Sequence, residues 1–279
     1  YGRSLPVLVR FRESEGRGLM VKAWVNGVGP FDFAVDTGAG ATLLSGRTAQ
    51  AAGLTVQGGR KINLGGLSGI FKATGREVSL RSLALGSVSN FLPARGLFIV
   101  SESFPAGVDG VLDPTESYWP LGYTIDLPRG EITSFDPQTN PLRPGDAARG
   151  GTVVTWLFDS ESRRPYVLLG NGSRALIDTG SGFGLAIGEG AARSFGAVVE
   201  GREDRGGARD IGGGRIASQR VRPVSVRVGA LELRRVPTDV LSGVGANSPV
   251  LLGRRALEPF RLSFDPLNRL IKITPPPDD

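Results

Sequence analysis

Two short stretches of this chain share one unusual pattern. Residues 31–39 read FDFAVDTGA and residues 173–181 read SRALIDTGS, so each is an apolar run that ends in Asp-Thr-Gly and a small residue. The apolar run predicts a buried strand. A buried strand that stops on a carboxylate is unusual, because charged groups are rarely left in apolar surroundings without a partner. We therefore expect Asp36 and Asp178 to be each other's partners.

The spacing around these stretches repeats along the chain. Asp113 follows Asp36 by 77 positions, and Gly253 follows Asp178 by 75 positions. A repeat of this length is explained most simply by two homologous halves. A pseudo-twofold axis between two such halves would bring the two aspartates together on that axis.

Composition agrees with a β protein in two parts. The 279 residues suffice for one large or two smaller cores, and the 42 glycines and 19 prolines favour many short turns. We predict an all-β fold with a few short helices. Residues 1–138 form the N-terminal lobe, residues 139–151, rich in Pro, Gly and polar residues, form a linker, and residues 152–279 form the C-terminal lobe.

Two local patterns give more detailed predictions. Ser45 is placed to cap a short helix that runs to about Ala52 and stops at Gly53. The apolar content of residues 88–100 predicts a strand over that stretch.

Histidine and cysteine are both absent from the chain. Their absence excludes Ser-His-Asp and Cys-His nucleophilic systems and zinc sites of the usual Cys/His type. Hydrolytic chemistry would have to come from carboxylates, Lys, Tyr, Ser or Thr, or an oxygen-ligated metal. We expect a site that uses no metal and no cofactor.

Charge and hydropathy limit the kinds of binding partner that we expect for this chain. The formal net charge is +6, but the basic residues are spread thinly and form no run that resembles a nucleic-acid arm, so we expect no nucleic-acid partner. No apolar run approaches the length that spans a bilayer. The chain starts at Tyr1, which is compatible with a removed signal peptide, and we favour a secreted or periplasmic location over a cytoplasmic one.

Each residue of an Asp-Thr-Gly turn has a physical task. Gly allows the tight turn and lets N–H groups approach the carboxylate, and Thr supplies a hydroxyl that braces the turn. Two carboxylates at close range cannot both ionise easily, so they share one proton. One can then accept a proton from a water while the other donates to the group under attack. Asp36 and Asp178 are the candidate catalytic residues.

With these motifs the sequence resembles the aspartic proteases, and the retroviral (retropepsin) branch more than the larger pepsins. Asp36-Thr37-Gly38-Ala39 and Asp178-Thr179-Gly180-Ser181 match the family's catalytic turn. Residues 65–72, GGLSGIFK, resemble the retroviral flap, and residues 251–254, LLGR, resemble the segment that packs beneath the catalytic loop. The resemblance covers nearly the whole chain, twice over.

The resemblance implies an acid protease fold of two pseudo-twofold-related lobes, a catalytic pair, supporting turn residues and two substrate-binding flaps. The residues that would support the catalytic loops are Thr37, Gly38, Ala39, Thr179, Gly180 and Ser181. The flap residues are Gly65, Gly66, Leu67, Ser68 and Gly69 in the first half and Gly212, Gly213 and Gly214 in the second. Ordinary hairpin turns are the alternative for both tips, and for the second neither reading is preferred.

The sequence also departs from the family pattern. Asp113 stands where the family usually has Gly, and we expect it to cap a turn rather than to act as a third carboxylate. Gly40 and Gly182 stand where retroviral enzymes commonly carry an Asp that pairs with an Arg, so the role of Arg254 is open. Ser181 can hydrogen-bond the catalytic pair whereas Ala39 cannot. We expect this asymmetry to place activity at mildly acidic to neutral pH.

These inferences lead to one predicted function and three alternatives. The prediction is an aspartic endopeptidase that acts on an extended peptide or protein substrate, as a monomer with both half-sites in one chain. The first alternative is a catalytically silent protein of the same fold that holds peptides. The others are a structural or inhibitor-like protein with a vestigial pair, and an inactive precursor whose cleft is blocked by the N-terminal segment.

Overall fold

The computed structural model describes residues 5–66, 73–101, 104, 107–158, 162–197, 205–209, 215–245 and 248–275. Strands make up most of this part of the chain, and the helices in it are short. The predicted all-β class is thereby confirmed. None of the helices in these ranges has the length and apolar character needed to cross a membrane.

The first half of the chain contains twelve strands among its described residues. They are β1 (Val9–Arg10), β2 (Arg12–Ser14), β3 (Gly18–Val25), β4 (Val28–Val35), β5 (Thr42–Ser45), β6 (Lys61–Leu64), β7 (Ala73–Glu77), β8 (Leu83–Leu85), β9 (Phe98–Ser101), β10 (Gly110–Leu112), β11 (Gly122–Asp126) and β12 (Glu131–Phe135). Helix α1 spans Gly46–Ala51 and helix α2 spans Pro114–Tyr118.

The second half follows a short 3-10 helix at Pro144–Asp146. Its described strands are β13 (Thr152–Thr155), β14 (Tyr166–Leu168), β15 (Arg174–Asp178), β16 (Leu185–Gly188), β17 (Arg205–Arg209), β18 (Arg215–Val228), β19 (Leu231–Ser242), β20 (Val250–Gly253), β21 (Arg261–Asp265) and β22 (Leu270–Thr274). A 3-10 helix spans Glu189–Phe195 and helix α3 spans Arg254–Leu257.

The same topology is built twice. In the first half, β10 lies parallel to β4 and antiparallel to β5, and β5 lies parallel to β9. In the second half, β20 lies parallel to β15 and antiparallel to β16, and β16 lies parallel to β19. The strands that end at the two Asp-Thr-Gly motifs, β4 and β15, therefore hold equivalent central positions in their sheets.

A third sheet is shared by the two halves. Its strand order is β1-β12-β11-β21-β22-β13, with three strands from each side of residues 139–151. The hairpins β11–β12 and β21–β22 meet at its centre, where Ile125 pairs with Leu262. This sheet fixes how the two halves face each other, and hence where their motifs meet.

The core continues from one half into the other. Tyr123 stacks on Phe264 across the shared sheet with ring centroids 4.7 Å apart, and Trp156 packs edge-on against Phe264 at 5.8 Å. All three side chains are buried almost completely. Burial of aromatic side chains of this size contributes much of the apolar stabilisation of a domain.

One of the two local predictions is confirmed and the other is largely wrong. Ser45 caps α1 by accepting a hydrogen bond from the Thr48 N–H at 3.1 Å. The strand expected over residues 88–100 begins only at Phe98. The preceding residues form a loop because the Asn90 amide bonds Val7 and Leu85 backbone groups, and Val88 and Phe91 stay exposed.

Candidate active site

Two buried threonines cross-link the motifs of the two halves. The Thr37 hydroxyl accepts from the Thr179 N–H at 3.1 Å and donates to the Ile177 carbonyl at 2.6 Å. The Thr179 hydroxyl accepts from the Thr37 N–H at 3.1 Å and donates to the Val35 carbonyl at 3.3 Å. Both threonines are inaccessible to solvent. Each half thereby satisfies the backbone of the other, so the two turns are held in a fixed relation.

The two aspartates follow directly from this cross-link. Asp36 comes just after β4, where its N–H donates to the Leu112 carbonyl at 2.9 Å. Asp178 is the last residue of β15 and pairs with Gly253 of β20. Both aspartates are half-buried, and their carboxyls are in hydrogen-bonding contact with each other. The structure thus brings together the two carboxylates that the sequence singles out.

Glycine is required at two positions for this approach. A Cβ atom on Gly38 would lie 2.9 Å from Cγ of Asp178, and one on Gly180 would overlap the Asp36 carboxyl. The N–H of Gly38 also donates to Oδ1 of Asp36 at 2.8 Å. Each motif therefore places its glycine against the carboxylate of the opposite half. The glycines therefore allow the tight turn of their own motif and also leave room for the carboxyl of the opposite aspartate.

Both carboxyls have a raised pKa, and their charged neighbours differ. Burial raises the pKa of Asp36, while the N–H of Gly38, the Asp178 carboxyl and the positive charge of Arg164 lower it. Burial also raises the pKa of Asp178, and the neighbouring charge of Asp36 raises it further, to well above the ordinary value. Two close carboxyls resist double ionisation, so the two aspartates share one proton as a pair, and the charge of Arg164 acts on Asp36 alone of the two.

The first motif is braced by a buried carboxyl. Asp113 accepts from the Gly40 N–H at 2.7 Å through one oxygen and from the Glu116 N–H at 3.2 Å through the other. It is the N-cap of α2, which confirms the prediction that it caps a turn. Burial and the neighbouring Glu116 raise the pKa of Asp113 to about 8, and Asp36 contributes to that rise. Asp113 therefore joins the first motif to α2.

An arginine of the second half also reaches the first motif. Nη2 of Arg164 donates to the Ala39 carbonyl at 3.1 Å, and its Nε lies so close to Gly40 that a Cβ there would be 2.7 Å away. Gly40 has φ +75°, a conformation that glycine adopts readily. Sequence reasoning missed Arg164, because nothing in its local pattern separates it from the other arginines of the chain.

The second motif is braced by an arginine of its own half. Arg254 begins α3 and donates from Nη1 to the Thr179 carbonyl at 2.8 Å and to the Gly180 carbonyl at 3.2 Å. Its Nε lies 3.5 Å from the Glu13 carboxylate of the first half. The open question of Arg254 is thereby answered: it holds the backbone of the second turn, and Glu13 is its acidic neighbour.

Ser181 contacts Asp178 through its backbone. Its N–H donates to Oδ1 of Asp178 at 2.9 Å, whereas its hydroxyl accepts from the Phe183 N–H at 3.3 Å. Ala39 occupies the matching place in the first motif and its N–H approaches the Asp36 carbonyl at 3.5 Å. The expected asymmetry between Ser181 and Ala39 therefore comes from the main chain rather than from the hydroxyl.

The predicted flap residues divide into two groups. Gly65 and Gly66 follow β6, which pairs with β7 from Lys61 opposite Arg76 to Leu64 opposite Ala73. Strands β17 and β18 pair in the same antiparallel manner in the second half. The remaining flap predictions lie outside the described residues; these are Leu67, Ser68, Gly69, Gly212, Gly213 and Gly214.

Comparison with known proteins places this geometry in a family. The sequence profile of the family described as aspartyl protease matches two stretches, residues 21–97 and 165–256, which together cover more than half of the chain. Each stretch contains one Asp-Thr-Gly motif. No curated protein matches the chain. The double match confirms the predicted duplication, the two-lobed acid protease fold and the resemblance to retropepsins. The chain therefore belongs to the aspartyl protease family, is of the retropepsin type, and has the activity class of a protease.

Proposed function

We propose that this protein is an aspartic endopeptidase in which Asp36 and Asp178 activate a water molecule between the two lobes. The observation that carries the proposal is the contact between two half-buried carboxyls, each delivered by the equivalent strand of its own half. A pair of this kind holds one proton between two oxygens and can act as base and acid together.

The positive charge of Arg164 beside Asp36 favours the ionised form of that aspartate, and this gives each aspartate a role. Ionised Asp36 takes a proton from the water, whose oxygen attacks the carbonyl carbon of the peptide bond. Protonated Asp178 donates its proton to the carbonyl oxygen, so the intermediate is a neutral diol. Asp36 then gives its proton to the leaving amine nitrogen while Asp178 takes a proton from a diol hydroxyl. The C–N bond breaks, a carboxylic acid and an amine are released, and the pair returns to its starting state. The site needs no covalent intermediate on the protein.

The supporting residues explain how the pair stays in place. Thr37 and Thr179 fix the two turns, Gly38 and Gly180 allow the carboxyls to approach, and N–H groups from both turns lie beside them. We expect the glycine-rich tip that follows β6 to close over an extended substrate and pair with its backbone, whereas for the tip between β17 and β18 a lid and an ordinary hairpin turn both stay open. We also propose that residues 1–138 and 152–279 act as the two lobes of a monomer.

The test is a digest of a broad peptide library by the wild-type protein and by Asp36→Asn and Asp178→Asn. We expect both variants to lose at least about a hundredfold in rate, because each removes one partner of the acid–base pair. Asp146→Asn, an exposed carboxylate in the linker, is the matched control and should cleave normally. A statine-type inhibitor should block the wild type.

Two results would contradict the proposal. Cleavage that survives both substitutions would exclude the pair from the mechanism. A wild-type protein that binds library peptides and cuts none of them would support the silent peptide-binding alternative, and Asp36→Asn would then leave peptide binding intact.

A further inference from the structure

We infer that Arg164 selects substrates with an acidic side chain, glutamate or aspartate, beside the first motif. The inference rests on the proposed function and names a substrate class for that same site. Arg164 belongs to the second half but lies against the turn of the first, where it contacts Ala39 and Gly40. Its charge reaches Asp36, so the guanidinium stands near the reacting carboxylate.

The guanidinium of Arg164 has donors left over. Nη2 donates to the Ala39 carbonyl, and Nε is buried against Gly40, out of reach of a substrate. Among the described residues no acceptor contacts Nη1, so this is the nitrogen that a substrate carboxylate would bind. A guanidinium offers five N–H donors in a rigid fork that fits a carboxylate. The Ala39 contact uses one of them. The side chain is half-buried, so its charge is only partly screened by water.

No carboxylate of the described residues forms an ion pair with Arg164, although acidic groups are close to the first motif. Glu116 is occupied by Arg163, whose Nη1 lies 2.9 Å from both carboxylate oxygens. Both carboxyl oxygens of Asp113 accept hydrogen bonds, one from the N–H of Gly40 and one from the N–H of Glu116. Buried and half-buried charges are usually paired. Asp36 interacts with the Arg164 charge without forming an ion pair, and an incoming peptide carboxylate can supply the direct ion pair.

The arginine beside the second motif already has an acidic neighbour. Arg254 donates from Nη1 to two backbone carbonyls, and its Nε, which has no hydrogen-bond acceptor among the described residues, lies 3.5 Å from the Glu13 carboxylate. In the part of the chain that the structure describes, the arginine that contacts a motif without a carboxylate in ion-pair range is therefore Arg164, on the Asp36 side. The selectivity should appear at one position of the substrate and not symmetrically on both sides of the cleaved bond.

The experiment uses pairs of peptides that differ by one Glu/Gln or Asp/Asn exchange, scanned through the positions around the cleaved bond. At about pH 6 the acidic side chains are ionised. For the wild type we expect kcat/KM to favour the acid by roughly tenfold at one position, the factor of one charge-assisted hydrogen bond. Arg164→Gln should bring this ratio close to one, and added salt should lower it in the wild type.

Controls separate selectivity from structure. The ratio of the paired peptides cancels any general loss of activity in Arg164→Gln. Arg164→Lys keeps the charge and should keep part of the preference, which also covers the case in which the glutamine variant does not fold. Arg193→Gln removes an equal charge from an exposed position and should keep the full ratio.

The outcomes are distinguishable from those of the proposed function. If the wild type cuts peptides but shows no acid preference at any position, the inference is wrong and the proposed function stands. The inference is also overturned if Arg164→Gln keeps the preference, since the arginine then only braces the loop. If the wild type cuts no peptide at all, it is the proposed function that fails.

Discussion

The two Asp-Thr-Gly motifs agree at their centre, which is the contacts of their Thr and Gly residues. They differ at their edges, which are the side chains that hold each turn in place. At the centre, Thr37 and Thr179 exchange equivalent hydrogen bonds, and Gly38 and Gly180 each face the opposite aspartate. At the edges, the first motif is held by a buried carboxyl and by an arginine from the other half, whereas the second is held by Arg254 of its own half.

The difference shows which parts of a duplicated site have to stay alike. The centre must deliver two carboxyls to one point, so both halves need the same turn. The edges set the charge around each carboxyl, and the mechanism that we propose needs one carboxyl ionised while the other is protonated. Arg164 beside the first motif favours ionisation of Asp36, in the direction that the proposal requires.

The largest effect is expected from adding a methyl group at the centre. In Gly180→Ala the new Cβ would overlap the Asp36 carboxyl, while in Gly38→Ala it would sit 2.9 Å from Cγ of Asp178. Displacing a reacting group by about 1 Å costs on the order of a hundredfold in rate. We therefore expect Gly180→Ala to lose at least that much and Gly38→Ala to lose less, measured as kcat/KM.

Gly190→Ala is the matched control for the two alanine variants, because no atom lies near its added Cβ. Equal activity of Gly180→Ala and the wild type would mean that the carboxyl of Asp36 does not sit against this glycine.

The second prediction tests whether the two threonines, which make equivalent hydrogen bonds, also contribute equally to stability. Thr37→Val would leave the Thr179 N–H and the Ile177 carbonyl unpaired, and Thr179→Val would do the same to the Thr37 N–H and the Val35 carbonyl. Each buried unpaired group costs about 1–3 kcal/mol. We expect both variants to lower the free energy of unfolding by similar amounts, about 2–4 kcal/mol, in urea titrations.

The matching Thr→Ser variants keep the hydroxyl and lose one methyl group, so they should cost only about 1 kcal/mol. If one valine variant proves harmless while the other does not, the two halves do not depend on each other equally.

The smallest effect is expected in the pH dependence of stability that Asp113 contributes beside the first motif. Asp113 has a pKa raised from 3.8 to about 8 by burial and by Glu116, and Asp36 and Tyr123 are the other titratable groups that interact with it. Above about pH 4 the unfolded chain releases this proton while the folded chain keeps it. The contribution of Asp113 to the free energy of unfolding should therefore fall as pH rises from about 4 to about 8, by at most about 1.4 kcal/mol per pH unit, and level off above.

In Asp113→Asn this contribution is absent. We expect the free energy of unfolding of the variant to fall less steeply with pH than that of the wild type between about pH 5 and 8, whatever the offset between the two curves. Parallel curves would show that Asp113 does not keep its proton in the folded protein. The second half has Gly253 at the matching position, so it offers no group that could titrate in the same way.

The centre of the site can be predicted from the sequence, whereas most of the contacts at its edges cannot. The repeat of Asp-Thr-Gly after an apolar run was enough to predict the duplicated β fold and the pairing of the halves, because strand pattern and turn chemistry are local. The Ser45 cap and the Asp113 cap were likewise readable from neighbouring residues.

The edges could not be predicted, because they depend on contacts between residues far apart in the chain. Arg164 reaches a turn 125 positions away, and no pattern around it marks that contact. The loop after Leu85 was misread as a strand because the Asn90 side chain replaces the pairing that a strand would need. The division at residues 139–151 and the role of the flap tips stay predictions.

The shared sheet has a consequence for the order in which the protein is made. Its centre joins Gly122–Asp126 to Arg261–Asp265, so the hydrogen-bonding edge of the earlier hairpin is completed by residues that leave the ribosome well after both Asp-Thr-Gly motifs. The first half can acquire its own nine-stranded sheet early, but an open strand edge persists until Arg261–Asp265 have been made. A chain truncated before Arg261 would carry both aspartates and still lack the surface that aligns them.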